Sequence, residues 1–269
     1  MKIDAAINSI RSLDDLAEMN TPVHVLDPRA KVLVILLFVL TTVSFPKYEI
    51  AGLMPLFFYL VLIAALGQIP WKTMARYLVL AAPFAIFVGM FNPLLDQDII
   101  IRWEKVGISG GWISFLSIIL KFMLTASAAL ILVATTGYVS ICGALGHMGM
   151  PRILVVQFLF LFRFIFILTD EASRMMRAHT LRAGSDRGAL IHVWGSLAGH
   201  LLLRAHDRGQ RLYAAMLARG FDGKLRSVRN WNWNAKDTLV VLLSSAFFAL
   251  VKFGNIVEAL GDAITRSAA

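Results

Sequence analysis

Four arginines state the most legible chemistry in this sequence. Arg174 and Arg182 stand eight residues apart, and so do Arg211 and Arg219. Eight residues is a little over two helical turns, so each pair lies on nearly one face. The last arginine of each pair has small neighbours, in Arg182-Ala183-Gly184 and Ala218-Arg219-Gly220. Small neighbours let another surface approach, and the guanidinium fork binds a carboxylate in two places. The chemistry is recognition: two helix ends shaped to enter a partner's groove. A plain cap is the competing reading, because an arginine near a helix C-terminus gains about 0.3–1 kcal/mol from the helix dipole alone. Matching offsets on two long helices in one basic segment favour docking.

Other groups that could react are sparse. Cys142, His147, Met148 and Met150 in "CGALGHMGM" offer sulfur and imidazole for a soft metal, but their order lacks a recognised ligand spacing. His179, His192, His200 and His206 are scattered among arginines and read as solvated or interface histidines. The chain has no GxxxxGK[ST] loop to cradle ATP and no Ser/His/Asp arrangement. It is read as a non-enzyme that needs no cofactor. The alternative is an integral-membrane enzyme acting on lipid phosphates at the inner face. That chemistry needs acidic metal-binding motifs, and Asp170-Glu171 and Asp186 are too few.

The elements that position the arginines belong to a membrane protein. Of the 269 residues 58% are hydrophobic and only 16% charged, and the mean hydropathy is +0.71. A soluble domain of this length cannot hide so much apolar surface. Cys142 is the single cysteine, which excludes an internal disulfide. The net charge of +9 marks cytoplasmic loops rather than nucleic-acid binding, because no basic run is interleaved with stacking aromatics.

Apolar runs at Val32–Phe45, Ile50–Leu66, Tyr77–Phe91, Trp112–Thr136 and Thr238–Phe253 predict five spans. Tilt or flanking residues must lengthen the shorter ones to the ~20 residues a straight crossing needs. With the N-terminus inside, 20 of the 26 Lys and Arg fall on the inner side and five on the outer, with Lys121 in the fourth span. Lys121 is expected to snorkel or pair with a neighbouring subunit. A sixth run, 153–168, is apolar enough to cross. Crossing there would send the basic residues downstream outside and place Arg163 at membrane depth, so it is read as a helix packed under the bundle.

Residues 1–30 read as an amphipathic N-terminal segment, with Ile3, Ile7, Ile10 and Leu13 at helical spacing and no signal-peptide core. Residues 31–136 read as four transmembrane helices, 137–236 as a cytoplasmic coupling-helix module, and 237–269 as the last span and tail. Within the module, "YVSICGALGHMGM" predicts a short helix ended by Gly149 and Pro151. Long helices are predicted from about Ile153 to Ala183 and from about Leu190 to Arg219, with Gly184 and Gly220 as stops. The fold class is therefore an all-α integral membrane protein, with about five transmembrane helices plus a cytoplasmic module of long coupling helices.

The segment "RGQRLYAAMLARGFDGK" (208–224) resembles the second signature of the CbiQ/EcfT family, the transmembrane T components of energy-coupling factor (ECF) transporters. "LFRFIFILTDEASRMMRAHTLRAGS" (161–185) resembles the first, and "TPVHVLDPRAKVLVILLFVL" (21–40) the stretch leading into the first span. "PFAIFVGMFNPLLD" (83–96) resembles the cobalt and nickel branch. The resemblance implies a scaffold in the cell's plasma (inner) membrane. It implies two ABC-type ATPase subunits below it, a separate metal-binding S component in the membrane, contact with membrane lipid and room for a small accessory membrane subunit. It places Ala218, Arg219 and Gly220 at one ATPase contact, and Arg182 with Ala183 and Gly184 at the other. The first copy departs from the Ala-Arg-Gly pattern, because its glycine comes one place late.

Overall fold

A computed structural model describes residues 14, 16–19, 21–95, 99–103, 106–182, 191–223 and 232–254. The expected N-terminal amphipathic helix, Ala183 and Gly184 lie outside the described residues. The chain divides into two compact units. One comprises residues 15–137 and 231–269, the other residues 1–14 and 138–230.

The first unit is a helical bundle. A single turn, Pro22–Val25, precedes α1 (Pro28–Val43). A 3₁₀ turn at Ala51–Leu53 leads into α2 (Met54–Leu66), followed by α3 (Trp71–Gly89) and α4 (Gly110–Thr136). After residue 230 the chain returns to this unit as the helix Ala235–Phe253. The stretch between α3 and α4 contains a helical turn at Asn92–Leu95. It also forms an antiparallel hairpin of β1 (Ile99–Trp103) and β2 (Val106–Ser109). Isoleucine and valine at Ile99, Ile100, Ile101, Val106 and Ile108 favour the extended backbone there.

Local sequence explains where α1 begins. Asp27 is its N-cap, accepting a hydrogen bond from the Arg29 N–H at 2.8 Å, and Pro28 fills the first position. The centre of the bundle is α4. Its buried residues include Gly110, Ser114, Ser117, Ser127, Ala128 and Ala134, all of them small. Small residues let membrane helices pack backbone to backbone. At Gly89 of α3 an added Cβ would lie 2.9 Å from Cδ2 of Phe115 on α4. Large side chains fill the remaining space: Phe38, Tyr59, Phe247 and Phe248 form an aromatic cluster, with Tyr59 hydrogen-bonded to Ser244 at 2.9 Å. Phe58, Leu80 and Phe84 face outward, as lipid-facing positions must.

Two lysines set the direction of α4 against α1. Lys31 near the start of α1 donates to the Thr135 carbonyl at the end of α4, at 2.8 Å. Lys121, fourteen residues earlier on α4, donates to the Phe45 carbonyl just past α1, at 2.5 Å. The helices are therefore antiparallel, and Lys121 spends its charge inside the chain on a helix-terminal carbonyl.

The second unit contains α5 (Tyr138–His147), α6 (Arg152–Arg182) and α7 (Ile191–Ala218), which leaves Ala235–Phe253 of the bundle as α8. α6 starts at Arg152 and α7 ends at Ala218, each within a residue of the sequence expectation, while the expected end of α6 and start of α7 adjoin residues outside the described ones. Among the described residues three helices are long and apolar enough to cross a membrane: α3, α4 and α6. The run 153–168 thus belongs to an unbroken 31-residue helix, and its apolar window is nowhere buried.

Candidate functional site at the ends of the long helices

The end of α7 is fixed by its own backbone. The Gly220 N–H donates to Leu217 O and the Phe221 N–H to Met216 O, both at 3.0 Å. This pair of bonds is the Schellman termination, and it needs a left-handed residue between them. Gly220 supplies it, with φ of 76°. Phe221 then folds back over Met216, and both side chains line the same groove. Arg219 is consequently the C-cap residue. Its backbone is held on both sides while its side chain is exposed. A Cβ added at Gly220 would meet nothing within 4 Å, so the space beside the arginine is open.

Arg182 is the last described residue of α6 and is also exposed. Arg174 and Arg211, the partners at eight-residue spacing, are exposed as well. Arg219 therefore stands at the end of α7 and Arg182 at the last described residue of α6, with Arg174 and Arg211 eight residues before them and all four side chains exposed. An ion pair between Glu171 of α6 and Arg204 of α7 ties the two helices along their length. Arg204 is largely exposed, so water screens that attraction and it is worth little alone.

Beyond that tie the helices bound an open apolar groove of about 860 Å³. Val156, Phe160 and Phe164 line it from α6, and Gly209, Leu212 and Met216 from α7. The apolar face that hydropathy marks as a span is the wall of this groove.

The cysteine, histidine and methionine cluster separates. Burial pushes the Cys142 thiol up, with a smaller opposing effect from its hydrogen bond to Tyr138. Tyr138 itself stacks on Phe162, with ring centroids 4.4 Å apart. His147 donates through Nδ1 to the Gly143 carbonyl at 2.9 Å. Among the described residues no three His, Cys, Asp or Glu side chains converge as metal ligands.

Sequence reasoning missed a polar cluster at the start of the bundle. Asp237 accepts the Asn234 N–H at 2.8 Å, closing a capping box on α8, and the Asp27 N–H at 2.9 Å. Lys31, buried beside them, donates to His24 O at 3.2 Å as well as to Thr135. His24 donates from Nε2 to Leu16 O at 3.0 Å and accepts the Thr21 hydroxyl at Nδ1, at 2.6 Å. The signal available in the sequence was the Asn234-x-x-Asp237 box just before an apolar run.

Three relatives and one family model are similar to this chain. An uncharacterised protein of Methanocaldococcus jannaschii is 26% identical, covering 90% of this chain and 92% of its own length. The energy-coupling factor transporter transmembrane protein EcfT of Thermotoga maritima is 28% identical, with 87% of this chain and 90% of its own length covered. The cobalt transport protein CbiQ of Rhodobacter capsulatus is 32% identical over a shorter stretch, 35% of this chain and 39% of its own. The family described as CbiQ, cobalt transport protein, matches residues 19–229, most of the chain. The two arginine-ended helices lie inside that match, and the chain belongs to the CbiQ/EcfT family, the membrane components of ECF transporters.

Proposed function

We propose that this chain is the scaffold of an ATP-driven importer of cobalt or nickel. Two ABC-type ATPase subunits dock on the ends of α6 and α7, and a separate membrane subunit captures the metal. The observation that carries the reading is Arg219, whose backbone is locked by the cap while its side chain is exposed next to the open space at Gly220. Pre-organisation of this kind lowers the ordering cost of docking. ATP binding closes the ATPases, their grooves carry the helix ends with them, and the long helices pass the displacement to the membrane partner. The open groove between α6 and α7 offers that partner an apolar seat. The cobalt assignment leans on the name of the Rhodobacter relative and on "PFAIFVGMFNPLLD". Selectivity between the two metals belongs to the capturing subunit.

The direction of α8 supports a cytoplasmic placement of the long helices. In the bundle α1 and α8 start at the same end, joined by the Asp27–Asp237 bond, and finish at the same end, where Lys252 meets Ser44. They are parallel, while α4 is antiparallel to both. The chain therefore leaves the bundle and returns to it at one end. A crossing by α6 would need a return crossing by α7, which is studded with His200, Arg204, His206, Arg208 and Arg211. In this reading α6 stays on the inner side with its basic neighbours, and its apolar face lines the open groove.

The test is co-purification of the ATPase subunits with the chain, together with uptake of radioactive cobalt and nickel by intact cells. The Arg182→Ala/Arg219→Ala double variant is expected to lose both. Normal assembly and normal uptake in that variant would reduce the arginines to ordinary caps and defeat the reading.

A further inference from the structure

Within the bundle, α2, α3 and α4 surround a pocket of about 480 Å³. Its walls include Phe57, Leu60, Trp71, Leu78, Leu120 and Met123, and the one hydroxyl in the lining is that of Ser127. An unbranched alkyl chain suits such a pocket, because it asks nothing of a lining with so little hydrogen-bonding capacity.

Charge at the pocket's edge points to the rest of the molecule. Trp71 and Ala75 of α3 line the pocket, and Lys72 and Arg76 follow each of them by one residue, about 100° round the helix. Both cations are exposed and, being four residues apart, share a face. Trp71 stands with them, half out of the pocket, as tryptophan does at the headgroup level of a bilayer. An apolar slot flanked by two cations and an interfacial tryptophan matches a lipid with a negatively charged headgroup.

We propose that this pocket holds an acyl chain of an anionic phospholipid whose phosphate is bound by Lys72 and Arg76. The site is separate from the arginine-ended helices and stands whether or not they dock ATPases.

The test uses the full chain in nanodiscs of equimolar phosphatidylglycerol and phosphatidylcholine with identical acyl chains, released inside a mass spectrometer so that retained lipids are counted. Wild type is expected to retain phosphatidylglycerol in preference to phosphatidylcholine by about tenfold. Lys72→Gln/Arg76→Gln, at exposed positions, is expected to abolish the preference while a lipid is still retained. Ala75→Phe, whose ring enters the slot, is expected to lose retention of both lipids. Should Ala75→Phe fail to fold, the charge variant decides the headgroup and Leu78→Trp blocks the slot from the same helix. Equal retention of the two lipids by wild type, or retention unchanged by every variant, would overturn the proposal. So would crosslinking of a photoreactive group at Phe57 to a partner subunit instead of lipid in the assembled transporter, which would give the pocket to a protein.

Discussion

The backbone N–H of Asp27 donates to the carboxylate of Asp237 at 2.9 Å, across 210 residues of sequence. The same carboxylate accepts the Asn234 N–H, so one buried side chain starts α8 and fastens it to the start of α1. Removing it strands two backbone donors, one of them at the buried Asp27. Asp237→Ala is expected to cost about 2–4 kcal/mol, since hydrogen bonds to charged groups are worth about 1.5–3 each and a stranded donor adds its desolvation. Asp237→Asn keeps one acceptor and should cost less. Thermal unfolding in detergent checks both, and equal melting of Asp237→Ala and wild type would contradict the fastening role.

Arg219 is expected to act through shape as well as charge. Arg219→Ala should weaken association with the ATPases by about 2–5 kcal/mol if it strands a buried partner charge. Arg219→Lys should restore only part, because lysine keeps the charge and loses the planar fork. The dissociation constant of the ATPase complex measures this directly, and full rescue by lysine would refute the geometric argument.

Gly220 separates the cap from the arginine. Its φ of 76° costs an L-residue about 1–2 kcal/mol, and no neighbour would clash with the new methyl. Gly220→Ala is therefore expected to loosen the end of α7 and weaken ATPase binding while Arg219 is intact. Gly220→Asn should be milder, because asparagine tolerates the left-handed region. Equal binding by wild type and both variants would show that the cap does not position the arginine.

His24 gives the bundle a pH dependence with a defined sign. Burial, and next the Lys31 charge, hold its imidazole below the ordinary value of 6.5. The unfolded chain then takes up a proton near pH 6.5 that the folded chain refuses, so stability falls as pH drops below that value and levels off below the folded pKa. His24→Gln is expected to flatten the acid side of a plot of melting temperature against pH. An unchanged slope would assign the acid sensitivity to other groups.

The placement of the long helices can be read by labelling. In a Cys142→Ser background, Thr180→Cys puts a thiol at an exposed position near the end of α6. It is expected to react with an impermeant reagent only after the cells are opened. Reaction in intact cells would put α6 across the membrane and defeat the single-sided reading.

The start of α6 and the end of α7 were legible because Pro151 and Gly220 interrupt strong local patterns within a few residues. The arginines were legible for the same reason, since spacing along one helix is a local property. The hairpin at 99–109 was hidden because Arg102, Glu104 and Lys105 interrupt its short apolar runs. The roles of Lys31, Lys121 and Asp237 were not legible, because each is defined by a partner between 76 and 210 residues away. Lys121 illustrates the limit: hydropathy shows a charge in a span, and only the bundle's packing supplies the Phe45 carbonyl that receives it.

The first turn of α1 is also a mechanical node. The segment from 138 to 230 is covalently joined to the bundle through the end of α4 and the start of α8. Those two attachment points are fastened to the same few residues, Thr135 to Lys31 and Asp237 to Asp27. A pull or twist arriving along either connection is therefore expected to meet the same short stretch, Asp27–Lys31, before it reaches the rest of α1.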